Sequence, residues 1–154
     1  MVDYQMPSDE AMAKVGMDGV EAHFIGAYIR WDSHENARIA REHGMKQEKP
    51  SRANWWDHEN LDNAQTGIHD HGMFRKFGFG RGCQQISVDV RNGRISREEA
   101  LEWVLGHDHL FPVEYAGVEI EAVLERLGVD LLWLDRCLDQ FTNKETQWQR
   151  LLNA

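Results

Sequence analysis

Only one stretch of this 154-residue chain reads strongly as a β-strand, and that scarcity limits what it can fold into. Val20–Ile29, VEAHFIGAYI, is a mostly apolar run rich in β-branched and aromatic residues, the pattern of a buried strand. Trp31 and Asp32 follow it, and a helical stretch then runs over Ser33–His43, with Ser33 as N-cap and Gly44 at the C′ position. A single strand-turn-helix unit does not complete a Rossmann-like sheet, so the chain is expected to be mainly α.

Beyond it the patterning is helical. Met45–His58 is polar and aperiodic, contains Pro50 and the pair Trp55-Trp56, and reads as a surface loop whose tryptophans cover something apolar. From Asn60 the spacing Leu61, Ala64, Ile68, His71, Phe74 predicts a helix that ends at Gly78, Gly80 and Gly82. A second helix fits Cys83–Asn92, stopped by Gly93. A third starts at the capping box Ser96-Arg97-Glu98-Glu99, with Ile95 and Ala100 at the staple positions and Ala100, Leu101, Val104 and Leu105 as its buried face. Val118–Leu127 and Leu131–Leu138 give two more amphipathic helices around Gly128, and Thr142–Glu145 repeats the capping-box spacing. The chain is read as one domain over 1–154. It comprises a strand-helix-loop part at 20–58, a helical part at 59–141 and a C-terminal helix or tail at 142–154.

Charge is unevenly placed. Between Gly72 and Arg97 six basic residues, Arg75, Lys76, Arg81, Arg91, Arg94 and Arg97, face one acid, Asp89, giving +5 against −14 for the rest of a chain whose formal charge is −9. A concentrated positive field beside the Gly-rich elbow Phe77-Gly78-Phe79-Gly80-Arg81-Gly82, opening into a helix N-terminus, suits a phosphate or carboxylate. Lys76, Gly78, Gly80, Arg81, Arg91 and Arg94 are the anion-binding candidates, with Trp31 and Asp32 as further substrate-facing residues. The competing reading is an interhelical turn whose arginines solvate the surface.

The acidic remainder argues against nucleic-acid binding, and no apolar run or basic leader points to a membrane or to secretion, so the cytoplasm is the expected compartment. Cys83 and Cys137 lie outside any CxxC pair and read as reduced thiols. His69-Asp70-His71 and His107-Asp108-His109 lack the three- or four-residue spacing that places metal ligands on one helix face, so no metal site is expected. His69 and Asp70, upstream of the elbow, are candidates for acid/base work, with a helix-surface hydrogen bond as the plainer reading.

Five linked segments carry a resemblance: Tyr28-Ile29-Arg30-Trp31-Asp32, Glu59-Asn60-Leu61-Asp62, Gly67-Ile68-His69-Asp70, Lys76-Phe77-Gly78-Phe79-Gly80-Arg81, and Asp89 through Ala100. Together they resemble the C-terminal region of the N-acetyl sugar amidotransferases, of the PP-loop ATP pyrophosphatase superfamily, over roughly residues 20–141. The resemblance implies the helical C-terminal portion of an α/β synthetase for lipopolysaccharide, O-antigen or nonulosonic acid assembly. Such an enzyme turns a sugar acetamido group into an acetamidino group, using ATP, Mg²⁺ and ammonia from a glutaminase subunit. Its Ser-Gly-Gly-x-Asp-Ser ATP loop and cysteine-rich start have no counterpart here. A cysteine near Asn63, an aromatic near His71 and an acid near Gln84 are also missing, and Gly72 stands inside a predicted helix. The chain is therefore expected to bind a sugar nucleotide but to be inactive alone, whether as a truncated product, half of a split enzyme joined by an N-terminal synthetase half, or a degenerate relative. The alternative is a non-catalytic helical module that docks a glutaminase or synthetase partner; a homo-oligomer is left open.

Overall fold

The positions of helix caps and glycines set the element boundaries in the computed structural model, which describes residues 8–14, 23–29 and 31–144. The chain divides into two compact units, Met1–Ile39 and Ala40–Ala154. In the first, α1 spans Asp9–Lys14 and a 3₁₀ turn spans Ile25–Ala27. The strand expected over Val20–Ile29 is not formed by the described residues 23–29: Ala27 N–H donates to Phe24 O and Tyr28 N–H to Ile25 O. Those residues are also exposed, whereas a buried strand was expected. An extended run must hydrogen-bond a neighbouring strand, and this one satisfies its backbone locally instead. Helix α2, Ser33–Glu42, starts one residue later than its cap. Asp32 fills the role assigned to Ser33, its Oδ1 accepting from His34 N–H at 3.0 Å. Gly44 (φ 95°) closes the other end, where Met45 N–H reaches Ala40 O.

The second unit holds the larger core. Helices α3 (Thr66–Phe77), α4 (Arg81–Arg91) and α5 (Arg97–His107) lead to a short antiparallel hairpin, β1 (Glu114–Tyr115) with β2 (Val118–Glu119). Helices α6 (Ile120–Leu127) and α7 (Leu131–Phe141) complete the described part. The described chain is thus mainly α, its sheet limited to two strands. The hairpin takes the first two residues of a helix expected from Val118, because Ala116 (φ 49°) and Gly117 (φ 76°) supply the left-handed turn between its strands. Helix α3 starts at Thr66 and not Asn60: Asn60 itself has φ 57°, outside the helical region. Thr142, expected as a cap for a following helix, ends α7, its hydroxyl donating to Leu138 O; Glu145, the other end of that expected box, lies outside the described residues.

Two apolar clusters organise this unit. Tyr115, Ile120, Leu124 and Leu134 form one, joined by Ile68, Phe111 and Leu138. Ile86, Ala100 and Val104 form the other, with Trp55, Cys83, Ile95 and Trp103. Gly72 has a reason to be small: a Cβ there would stand 3.2 Å from Leu138 Cδ2, so glycine lets α3 and α7 approach. The α5 capping box forms as its spacing predicts, with Glu99 N–H donating to Ser96 Oγ (3.2 Å) and Ser96 N–H to Glu99 Oε2 (3.1 Å). Of the expected buried face of α5, Ala100 and Val104 are buried, while Leu101 and Leu105 are exposed. Ser96→Ala removes the bonds of the hydroxyl, from Glu99 N–H and to Glu99 Oε2, but keeps the Ser96 N–H bond, and is expected to cost about 1 kcal/mol in urea unfolding; an unchanged midpoint would mean that the hydroxyl contributes nothing.

Candidate functional site

The elbow between α3 and α4 has an inner and an outer face with different chemistry. Gly78 adopts the left-handed conformation (φ 80°) that ends α3, its N–H donating to Phe74 O. Two residues on, the backbone turns inward and meets Asp108. Its Oδ2 accepts from Gly80 N–H at 2.6 Å and its Oδ1 from Cys83 N–H at 2.9 Å. The first amides of a helix are an anion cradle, and here the anion is the chain's own carboxylate. Burial pushes Asp108 above the usual carboxylate range, against the pull of the amides of Gly80, Cys83 and Gly82. The glycines serve this closure: a Cβ on Gly80 would lie 2.8 Å from Asp108 Oδ1, and one on Gly82 would lie 2.6 Å from the Trp103 ring.

The basic residues of the island are largely committed within the fold. Arg81 grips Asp70 with both arms of its fork, Nε to Oδ2 at 2.7 Å and Nη2 to Oδ1 at 2.9 Å, and this pairing holds the guanidinium firmly charged. Asp70 also meets His69 Nδ1 at 3.2 Å, leaving His69 as the exposed member of the predicted pair. Arg75 reaches Asp135, Asp139 and the Thr142 hydroxyl. Arg94 donates to Asp89 Oδ1 at 3.0 Å. The other oxygen of Asp89 accepts from both loop indoles, Trp55 Nε1 at 2.7 Å and Trp56 Nε1 at 3.0 Å. The tryptophans therefore close on a carboxylate as well as on apolar side chains. Gln85 completes the lock on that loop: its Oε1 accepts from Trp55 and Trp56 N–H, and its Nε2 donates to Glu59.

The outer face is left to Lys76, Phe77 and Phe79. The two phenyl rings lie 6.1 Å apart and 29° from parallel, and Lys76 Nζ stands 5.1 Å from the Phe77 centroid. Phe77 is 53 % and Phe79 38 % exposed. Neither phenylalanine was singled out by the sequence, although their placement on either side of Gly78 is visible in it. Arg91 is exposed at the far end of α4, where it donates to Ser87 Oγ. Ten residues of helix separate it from Arg81, about 15 Å. The structure thus brings Lys76, Gly78, Gly80 and Arg81 together around one elbow and leaves Arg91 and Arg94 at the opposite end of the helix. Trp31, 77 % exposed, and Asp32, the α2 cap, belong to the first unit. Asp108, Gln85 and the indole pair were not identified from the sequence as partners of these groups.

Among the described residues no three His, Cys, Asp or Glu side chains assemble a metal-binding group, and no helix is long and apolar enough to cross a membrane. Residues 51–152 match the sequence model of the family described as LPS biosynthesis protein WbpG-like, C-terminal domain. The comparison with curated proteins finds no match.

Proposed function

We propose that this chain, which belongs to the family of WbpG-like C-terminal domains of LPS biosynthesis proteins, supplies the sugar-nucleotide-facing part of an ATP-dependent N-acetyl sugar amidotransferase. The observation that carries the reading is the outer face of the elbow. Two exposed phenyl rings held on a tight turn beside an ammonium suit a ligand that is part ring and part anion. A heterocyclic base or a sugar ring can stack on phenylalanine while a neighbouring diphosphate meets Lys76. The Lys76–Arg81 wording of the resemblance falls on this turn.

The inner face does not fit ATP. The helix-terminal amides that a triphosphate would need are taken by Asp108, and the fork of Arg81 by Asp70. We therefore assign ATP and Mg²⁺ to another part of the complete enzyme, with ammonia from a glutaminase subunit, and no amidotransferase activity to this chain alone. The role left to its residues is to bind and orient: Lys76 by charge, Phe77 and Phe79 by stacking, and the Asp70–Arg81 pair by holding α3 and α4 in register behind them.

Titration of the ¹⁵N-labelled chain with UDP-N-acetylglucosamine tests this. The amides of Lys76 to Arg81 are expected to shift, and Phe77→Ala or Lys76→Ala is expected to weaken binding about tenfold, about 1.4 kcal/mol. Elbow amides that stay still at millimolar ligand would sink the assignment. A second reading, a non-catalytic docking module, draws support from the exposed Leu132, Trp133 and Phe141 on α7. It is favoured if the titration fails while a partner protein co-purifies.

A further inference from the structure

The hairpin, α6 and the start of α7 enclose an open groove of about 760 Å³. Its apolar surface includes Leu131 and Leu132, 38 % and 58 % exposed. Its polar surface is of one sign: Glu119, Glu121, Glu125 and Asp130 all line it. Glu121 and Glu125 sit four residues apart on α6, so their side chains neighbour each other on the helix surface and repel. Among the described residues none of the four carboxylates forms an ion pair. Asp130 has a structural duty, accepting from Trp133 N–H at 2.7 Å, but the three glutamates have no such bond.

From this geometry we infer that the α6–α7 groove is a docking site for a basic amphipathic helix of a partner protein. The volume suits a few large apolar side chains of such a helix, presented at the spacing of one helical face. Lysines or arginines flanking that apolar stripe would meet the four carboxylates and relieve the Glu121–Glu125 repulsion. The same carboxylates count against the other occupants. An anionic lipid surface would be repelled by them, and a second copy of this groove would set acid against acid. The inference stands apart from the elbow, and a failed sugar-nucleotide titration leaves it untouched.

An 18-residue helical peptide of leucine and lysine, with the leucines on one face, is the probe, titrated into the ¹⁵N-labelled full chain. We expect shifts concentrated on Glu119 to Leu132. Glu121→Lys with Glu125→Lys should weaken binding at least tenfold, and Leu132→Ser should do the same without altering the spectrum elsewhere. The double reversal Glu98→Lys with Glu102→Lys, on the exposed side of α5, should leave binding unchanged. Shifts spread over the whole acidic surface, equal weakening by the α5 reversal, or equal binding of the Leu/Glu counterpart peptide would overturn the proposal. So would sedimentation showing that the free chain already dimerises through this groove.

Discussion

Asp89→Ala is expected to lower the stability of the chain by about 4 kcal/mol. Asp89 is only 3 % exposed and is the common acceptor for Arg94, Trp55 and Trp56. Truncation leaves two indole N–H groups without this acceptor and takes one carboxylate partner from Arg94. Each buried donor left unmade costs about 1–3 kcal/mol, so the two indoles together account for about 4 kcal/mol. Against a total of about 5–15 kcal/mol for a domain, that is a large fraction. The loop carrying Trp55 and Trp56 should loosen as well, so tryptophan emission should shift to the red before global unfolding. Asp89→Asn keeps one acceptor oxygen and should lose about half as much. Because the three donors converge on one carboxylate, Asp89→Ala and Trp55→Phe should be strongly non-additive in a double-mutant cycle. Additive losses would mean that the bonds are individually unimportant and the loop is held by its apolar contacts alone.

Asp89 also shows which parts of this molecule its sequence discloses. Local signals were readable: the Ser96–Glu99 box, the left-handed ends at Gly44, Gly78 and Gly128, and the stops at Gly93 and Gly128 all follow from chemistry within a few residues. The hairpin was missed because its strands are two residues each, too short for a period-two pattern to register. Long-range pairing was the larger gap. A basic, glycine-rich elbow at a helix start implied an anion, and one is there, but it is Asp108, 28 residues later in the chain. Arg81 and Arg94 read as free cations because charge counting has no knowledge of partners. Their carboxylates, Asp70 and Asp89, are 11 and 5 residues upstream. The segments that carry the family resemblance contain several of these contacts: Asp70 to Arg81 and Asp89 to Arg94 lie within them, and Glu59 accepts from Gln85, just outside them. Lys76 with Phe77 and Phe79 stay exposed beside these contacts, and are correspondingly the better place in the second unit to look for a ligand.

The pH dependence of stability should be dominated in the mildly acid range by His71. Its ring packs edge-on against Phe111 at 5.1 Å, its Nδ1 is buried with no hydrogen bond, and Arg75 and His109 lie near it. Burial first, and then the Arg75 charge, press its pKa from 6.5 down to about 4, with Asp135 pulling weakly the other way. A base whose folded pKa is depressed favours folding only while it is neutral. Its contribution is complete above pH 6.5 and is lost as the pH falls toward 4, because the unfolded chain takes up the proton first. Between pH 7.5 and 4.5 that amounts to about 2.5 kcal/mol, at 1.36 kcal/mol per pKa unit. Asp108, raised by burial, has the opposite slope in the lower part of this window, and wild type and variant share it. His71→Phe keeps a ring against Phe111 and removes the titration. Its urea midpoint should therefore fall less than that of the wild type over this range, by an amount equivalent to that 2.5 kcal/mol. Parallel curves would show that the imidazole is already charged in the fold, with Asp135 outweighing burial and Arg75.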